Sequence, residues 1–278
     1  VPLGQTRLGR RHALHFTKMQ GLGNDYLYIY TMEEPRQPEA LARRLSDRHF
    51  GPGADGMIWI LPSRSADFRM RIFNADGSEA KMCGNGIRCL GKYVYDNGLT
   101  DKTELTVETL SGLRRLTLHP GSDGRIASVS VKMGMARVEK PLSLALPETS
   151  LSCIPVSVGN PHAVTFVKNV SAVPLAVWGP LVEKYPTFHD GVNAEFVEVL
   201  SSRCFRMRVW ERGSGITLAC GTGACASAAA AVAAGYCPAK EEITARLDGG
   251  ELQIRVYPSG EVVMTGPAVT VYKGEIEL

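Results

Sequence analysis

At 278 residues, 44% of them apolar and 21% charged, the chain has the make-up of a globular protein of one large or two ordinary domains. Its net charge of +3 is small, its basic residues come at most in adjacent pairs such as Arg43-Arg44 and Arg114-Arg115, and no aromatic-basic stripe stands out, which argues against a nucleic-acid partner. No apolar run reaches the length of a membrane span, and seven cysteines without a C-x-x-C pair argue against a disulfide framework or zinc ribbon and for free thiols in a reducing, cytoplasmic setting.

The opening, VPLGQTRLGRRHALHF, has arginines but no apolar stretch of a secretory signal, no initiator Met and no acidic residue. It is expected to be a processed leader, a cut transit peptide or an added extension, so residues 1–13 are set aside. From residue 14 a strand (HFTKM), a glycine loop over residues 20–25 and an aromatic strand (YLYIY) suggest a hairpin. Residues 38–47 place Leu41 and Leu45 among charges, as a surface helix does. FGPGADGMIW is a second glycine-rich turn entering a strand at 57–61. Phe68, Met70 and Ile72 alternate with Arg69 and Arg71, a half-buried strand. RIFNADGSEAKMCGNGIRC then runs from strand through polar turn into a helix over 87–95, stopped by Asn97-Gly98. Short strands follow at 105–107, 113–118 and 126–131.

Between 133 and 150 the pattern loosens, with Pro141 and Pro147, and then the order restarts. A strand at 154–158, a polar turn Gly159-Asn160-Pro161-His162, a strand at 163–167 and a helix over 175–185 with Pro180 near its first turn lead to Gly191-Val192-Asn193 and a strand at 195–200. RVWERGSGITLACGTGAC repeats the plan of the earlier cysteine stretch. Arg71 and Arg208, Asn74 and Glu211, Cys83 and Cys220, Gly84 and Gly221, and Gly86 and Gly223 are each 137 positions apart. Gly23-Asn24 answers Gly159-Asn160 at 136, and Asp55 answers Asn193 at 138. Features that keep order and spacing this closely mark a duplicated unit with two halves facing across a pseudo-two-fold. The expected fold is α+β, with two pseudo-symmetric domains, each a β-sheet or barrel wrapped around a central buried α-helix. Residues 14–130, joined by a C-terminal strand at 268–278, form one domain, and 131–267 the other.

The helix GTGACASAAAAVAAG is apolar on nearly every face, so protein must surround it. Its N-terminus would offer free N–H groups and partial positive charge at one end of the wrap, with glycines letting a ligand approach. Such an end binds a carboxylate and lowers the pKa of a neighbouring cysteine from about 8.5 toward neutrality. Cys83 and Cys220 are then either small core residues ahead of buried helices or a matched pair of reactive thiols. Their recurrence before Gly-x-Gly favours the pair. Two facing thiols suit proton removal from one face of a stereocentre and proton delivery to the other. Cys89 and Cys225 lie along the helices as packed thiols. Cys153, Cys204 and Cys237 show no partner pattern, and no metal is expected.

Together KMQGLGNDY, NADGSEAKMCGNGIRC, GNPH and ERGSGITLACGTGACA resemble the diaminopimelate epimerase family, over residues 16–278. The resemblance implies a racemase-type enzyme without pyridoxal phosphate or other cofactor, interconverting LL- and meso-diaminopimelate for lysine or peptidoglycan precursors. It implies that Cys83 and Cys220 are the two acid–base groups, and that Asn24, Asn74, Asn160, Asn193 and Arg212 hold the substrate. Gly84-Asn85 and Gly221-Thr222 would cradle the carboxylate at the reacting carbon, while His162 and Glu211 would tune the thiols or hold an ammonium. It further implies a homodimer with Tyr272 at the interface. Without the family, His162 reads as a turn residue, the asparagines as turn formers, and Glu211 as a strand-end charge paired with Arg212.

Two departures stand out. Gly56 follows Gly-Ala-Asp where some relatives carry Gln, which puts a side-chain contact there in doubt; Ser214 and Ile216 replace Ala and Glu. Proline and hydroxyproline racemases are the nearest rival, but that group typically has His after the first Cys-Gly, and here it is Asn85. The same residues would also suit a thiol redox protein that pairs Cys83 with Cys220, or a non-catalytic relative.

Overall fold

The computed structural model describes residues 13–278, and the reading of residues 1–12 as a leader lies outside them. Two short glycine-bearing connections set the first strands. Ala13–Gly21 and Asn24–Tyr30 pair antiparallel through a two-residue turn, Leu22-Gly23, with φ of 56° and 85°. A left-handed leucine costs about 1–3 kcal/mol and needs outside support. Burial of Leu22 supplies it: Gly249 and Gly250 leave room for this turn, since a Cβ on either would strike Leu22. A tip of the N-terminal half is thereby plugged into the C-terminal half.

The strand order repeats. Asn24–Tyr30 runs parallel to Gly56–Leu61, which pairs antiparallel with Phe68–Asn74; that strand lies parallel to Glu104–Thr109, and Gly112–Pro120 and Ile126–Met135 follow antiparallel. In the second series Thr149–Ser157 pairs antiparallel with Pro161–Phe166, which runs parallel to Asn193–Ser201. Cys204–Glu211, Glu242–Leu247, Gly250–Val256 and Glu261–Pro267 then pair in the same senses as their counterparts. Ile126–Met135 joins Glu261–Pro267 antiparallel across the middle, so all strands form one continuous mixed sheet. The closing strand Val269–Glu277 returns to Ala13–Gly21, as Arg137–Val138 crosses to Thr149–Ser157.

Among the described residues four α-helices complete the α+β fold: α1 (Pro38–Ser46), α2 (Gly84–Asp96), α3 (Leu175–Glu183) and α4 (Gly221–Ala233). Helix α2 packs on strands 13–21, 24–30, 112–120 and 126–135, burying Ile87, Leu90 and Val94. Helix α4 packs on 149–157, 161–166, 250–256 and 261–267, with nearly every alanine inaccessible. Alanine keeps full helix propensity with the smallest side chain, so strands can close in on every side. No helix among the described residues is long and apolar enough to cross a membrane.

Several expectations need correcting. The loosened stretch after residue 133 is structured: it holds Arg137–Val138, Leu142–Leu146 and the start of Thr149–Ser157. Leu142–Leu146 and Thr149–Ser157 form a hairpin in which Leu146 faces Thr149. Helix α2 begins at Gly84, three residues before the expected start, since Cys83 caps it. Pro180 lies inside α3, not near its first turn. There Gly179 lets the helix lie directly on Trp210, where a Cβ would come within 2.6 Å of the ring system.

Asp67 ties two of these strands. Burial would raise its pKa, but Lys102 at 2.6 Å and the N–H and hydroxyl of Thr106 outweigh it and hold the carboxyl at about 2. A carboxyl depressed in the folded state contributes stability that is present above about pH 4 and lost as pH falls through 2. Asp67→Asn is therefore expected to melt roughly 2–5 °C below the wild type at pH 7. That gap should close between about pH 4 and pH 2. A gap independent of pH in scanning calorimetry would refute the linkage.

Candidate active site

Both cysteines stand at helix N-caps with extended backbone. The Cys83 sulfur accepts the Gly86 N–H at 3.3 Å, and the Cys220 sulfur accepts the Gly223 N–H at the same distance. The two helix ends meet: a Cβ on Gly84 would lie 3.9 Å from the Gly221 Cα. Asn85 bridges them, donating to the Ala219 carbonyl at 3.3 Å while its own oxygen accepts from Arg88 at 3.0 Å.

The groups that touch Cys83 directly are neutral, with the Asp55 carboxylate behind Asn24 and the Glu211 carboxylate farther off. Asn24 Oδ1 accepts from the thiol at 3.3 Å, and Asn24 Nδ2 donates to Asp55 at 2.8 Å. The Tyr26 phenol also contacts the thiol. Asn74, at the end of its strand, donates to Ser78 at 3.0 Å. Around Cys220 the groups are charged. Glu211 accepts from Thr217 at 2.5 Å, and the Thr222 hydroxyl lies 3.5 Å from the Cys220 sulfur. Asn160 donates to that hydroxyl at 3.3 Å and accepts from His162 Nε2 at 3.0 Å.

His162 is not the turn residue that its Gly-Asn-Pro context suggests. It sits in strand Pro161–Phe166, and its ring is fully buried against Glu195, 2.7 Å from Nδ1. Asn193 is committed to backbone, donating to the Pro161 carbonyl at 3.1 Å and accepting the Arg212 N–H at 2.9 Å. Arg212 reaches the Asp190 carbonyl at 2.9 Å and is exposed at the rim. The loop carrying Glu211 and Arg212 is braced from below by Glu183 of α3, which accepts from Trp210 Nε1 at 2.6 Å and from the Gly213 N–H at 3.0 Å. Ile216 is exposed, and its side chain offers no polar group. At Gly56 any Cβ would lie 2.2 Å from the Phe73 carbonyl oxygen, so a side chain there needs the strands to move apart.

The expectation of depressed thiol pKa values is overturned in sign. Burial, and to a lesser degree the Glu211 carboxylate, raise Cys83, although the Gly86 N–H, the Tyr26 phenol and the Asn85 N–H all pull it down. Burial, then the Glu211 and Glu195 carboxylates, push Cys220 well up against the Thr222 hydroxyl and the Gly223 N–H. The helix termini act as expected, but desolvation of the thiolate outweighs them. Burial likewise raises Glu211. Cys89 and Cys225, pushed up by burial to about 11 and about 12, are packed thiols. All seven cysteines are free.

Tyr272 lies on the closing strand, half exposed, edge-on to Phe16 and donating to the Pro52 carbonyl at 3.3 Å. Asp55, Tyr26, Thr217, Glu195 and Arg88 escape the sequence reading. A carboxylate within the apolar strand of Glu195 and the Asp55/Asn193 correspondence are the signals that point to them.

The family described as "Diaminopimelate epimerase" matches residues 16–139 and 154–271. Diaminopimelate epimerases of Acetivibrio thermocellus, Phocaeicola vulgatus and Methanococcus maripaludis are 48%, 50% and 46% identical, each covering 95% of this chain and 99%, 99% and 100% of their own. Among solved structures, a hydroxyproline epimerase of Agrobacterium vitis (TM-score 0.75, 17% identity, 97% and 94% coverage) and a PhzF-family phenazine biosynthesis protein of Bacillus anthracis (0.78, 15%, 96% and 100%) share the fold. At about half identity over almost the full length of its relatives, with the family matching both halves, the chain belongs to the diaminopimelate epimerase family.

Proposed function

We propose that this protein interconverts LL- and meso-diaminopimelate by a two-thiol proton transfer at the α-carbon, without a cofactor. The observation that carries the reading is the pair of cysteines capping helix ends that abut across the two halves. One sulfur, as thiolate, takes the α-proton and becomes a thiol. The other thiol gives its proton to the opposite face and becomes the thiolate. N–H groups at the starts of α2 and α4, at Gly84-Asn85 and Gly221-Thr222, face the substrate carboxylate and stabilise the charge that develops as the proton leaves. Burial disfavours a thiolate, and the substrate ammonium supplies the positive charge that offsets it. Asn24, Asn74, Asn160 and Arg212 orient the substrate, with Asn193 holding Arg212 in place, and His162 and Glu211 set the polarity beside Cys220.

In this reading residues 14–130 with 268–278 form one domain and 131–267 the other, and the protein works in the cytoplasm as a homodimer. Exposed Val269, Val271 and Tyr272 on the closing strand support a partner on that face.

Incubation with LL-diaminopimelate in D₂O under reducing conditions is expected to give meso product carrying α-deuterium. No exchange would refute the epimerase reading. Turnover of proline instead would select the racemase rival, whose fold this chain shares.

A further inference from the structure

The halves align in sequence around their thiols, and the alignment sets unlike residues at matched positions. The step of 136 that relates Asn24 to Asn160 takes Tyr26 to His162. The step of 137 that relates Cys83 to Cys220 takes Gly86 to Gly223 and Ile58 to Glu195. Strand register agrees: Tyr28 faces Ile58 in one half, and Val164 faces Glu195 in the other.

The two side chains fill the same space. A Cβ on Gly86 would lie 2.6 Å from Ile58 Cδ1, and a Cβ on Gly223 would lie 2.7 Å from Glu195 Oε1. Both are completely buried. Ile58 shows that an aliphatic chain satisfies the packing at this position. A carboxylate there is costly, and Glu195 Oε2 has no hydrogen-bond partner among the described residues. The other oxygen bonds His162 Nδ1 at 2.7 Å; from there the chain runs through Asn160 and Thr222 to the Cys220 sulfur.

We propose that Glu195 is a positioning residue for Cys220: through His162 its carboxylate fixes the Asn160–Thr222 chain that ends on the thiol, and so makes two thiols on matched scaffolds chemically unlike. This rests on the two-thiol reading above. Cys220 is faced by Glu195, Glu211 and His162 from three strands and by Thr222 from its own helix; Glu195 is faced by His162 and, farther off, by the Glu211 carboxylate.

Glu195→Gln keeps the shape and removes the charge. Its kcat is expected to fall roughly 10- to 100-fold, within the range of an acid–base contribution, with KM nearly unchanged. In a His162→Gln background the same substitution should add no further loss, because its route is already cut. Iodoacetamide labelling of Cys220, read peptide by peptide by mass spectrometry across pH, should move to lower pH by roughly one unit while Cys83 stays in place. An unchanged kcat, an undiminished loss in the His162→Gln background, or equal shifts of both thiols would each overturn the proposal. If Glu195→Gln does not fold by thermal melting, Glu195→Asp carries the test. It keeps the charge but withdraws it from His162, so kcat should fall while Cys220 labelling holds its pH; full turnover would refute the role. A wild type inert in D₂O would sink the epimerase reading instead, and the labelling asymmetry would still judge Glu195.

Discussion

Cys83→Ala and Cys220→Ala are each expected to abolish epimerisation, lowering kcat by at least about 10³-fold, toward the upper range of general acid–base catalysis. Inversion needs a base on one face and an acid on the other. Removing either sulfur leaves a carbanion with no proton source opposite, or no base at all. The double variant should be scarcely worse than either single one, because the two act as one unit. Circular dichroism of the product mixture, with melting to confirm the fold, measures this. Near-full turnover by either single variant would end the two-base mechanism. The alanine is also conservative for structure: each sulfur accepts one helix N–H at 3.3 Å, and losing such a cap costs about 1 kcal/mol.

The second large effect concerns Arg88. Its guanidinium is completely inaccessible, and among the described residues no carboxylate pairs with it. It donates instead to the Gly84 carbonyl at 3.1 Å, Asn85 Oδ1 at 3.0 Å and the Pro267 carbonyl at 3.2 Å. Gly21 and Gly266 leave room for it, since a Cβ on either would crowd the guanidinium at 3.1 Å. Burial lowers its pKa, the sign of a cation held at a cost. What it secures is the junction: α2, the amide that reaches Ala219 beside Cys220, and the end of strand Glu261–Pro267. Arg88→Ala is expected to destabilise the protein by roughly 3–5 kcal/mol, from unpaired acceptors and the cavity together. The variant should also lose activity beyond its loss of folded fraction, because Asn85 is freed. Arg88→Lys should recover only part of the stability, since an ammonium cannot reach three acceptors from one fork. Urea unfolding decides: a loss below about 1 kcal/mol in Arg88→Ala would show that the junction does not depend on it.

The sequence is most informative where physics is local or periodic. Cys83 and Cys220 are legible because a duplicated pattern repeats at fixed spacing. The helix at 221–233 is legible because a run of alanines has no polar face to turn outward. Asn24, Asn74, Asn160 and Thr222 are placed through motifs, and Asn24, Asn160 and Thr222 do converge on the thiols. His162 reads as a turn residue because Gly-Asn-Pro precedes it. Its burial depends on a parallel neighbour, Asn193–Ser201, 31 residues away in register, and no local rule reports that. The stretch after residue 133 looks irregular because its first strands, Arg137–Val138 and Leu142–Leu146, are short and flanked by Pro141 and Pro147.

By itself the sequence determined the duplication, the buried helices and the two thiols ahead of Gly-x-Gly, all of which follow from periodicity, propensity and spacing along the chain. The tertiary structure alone decided which charges surround each thiol. Glu195 meets His162 across 33 residues, and Arg88 meets Pro267 across 179. It alone decided the direction of the thiol shifts too, because a helix terminus can be read from a chain whereas desolvation is set by everything packed around it.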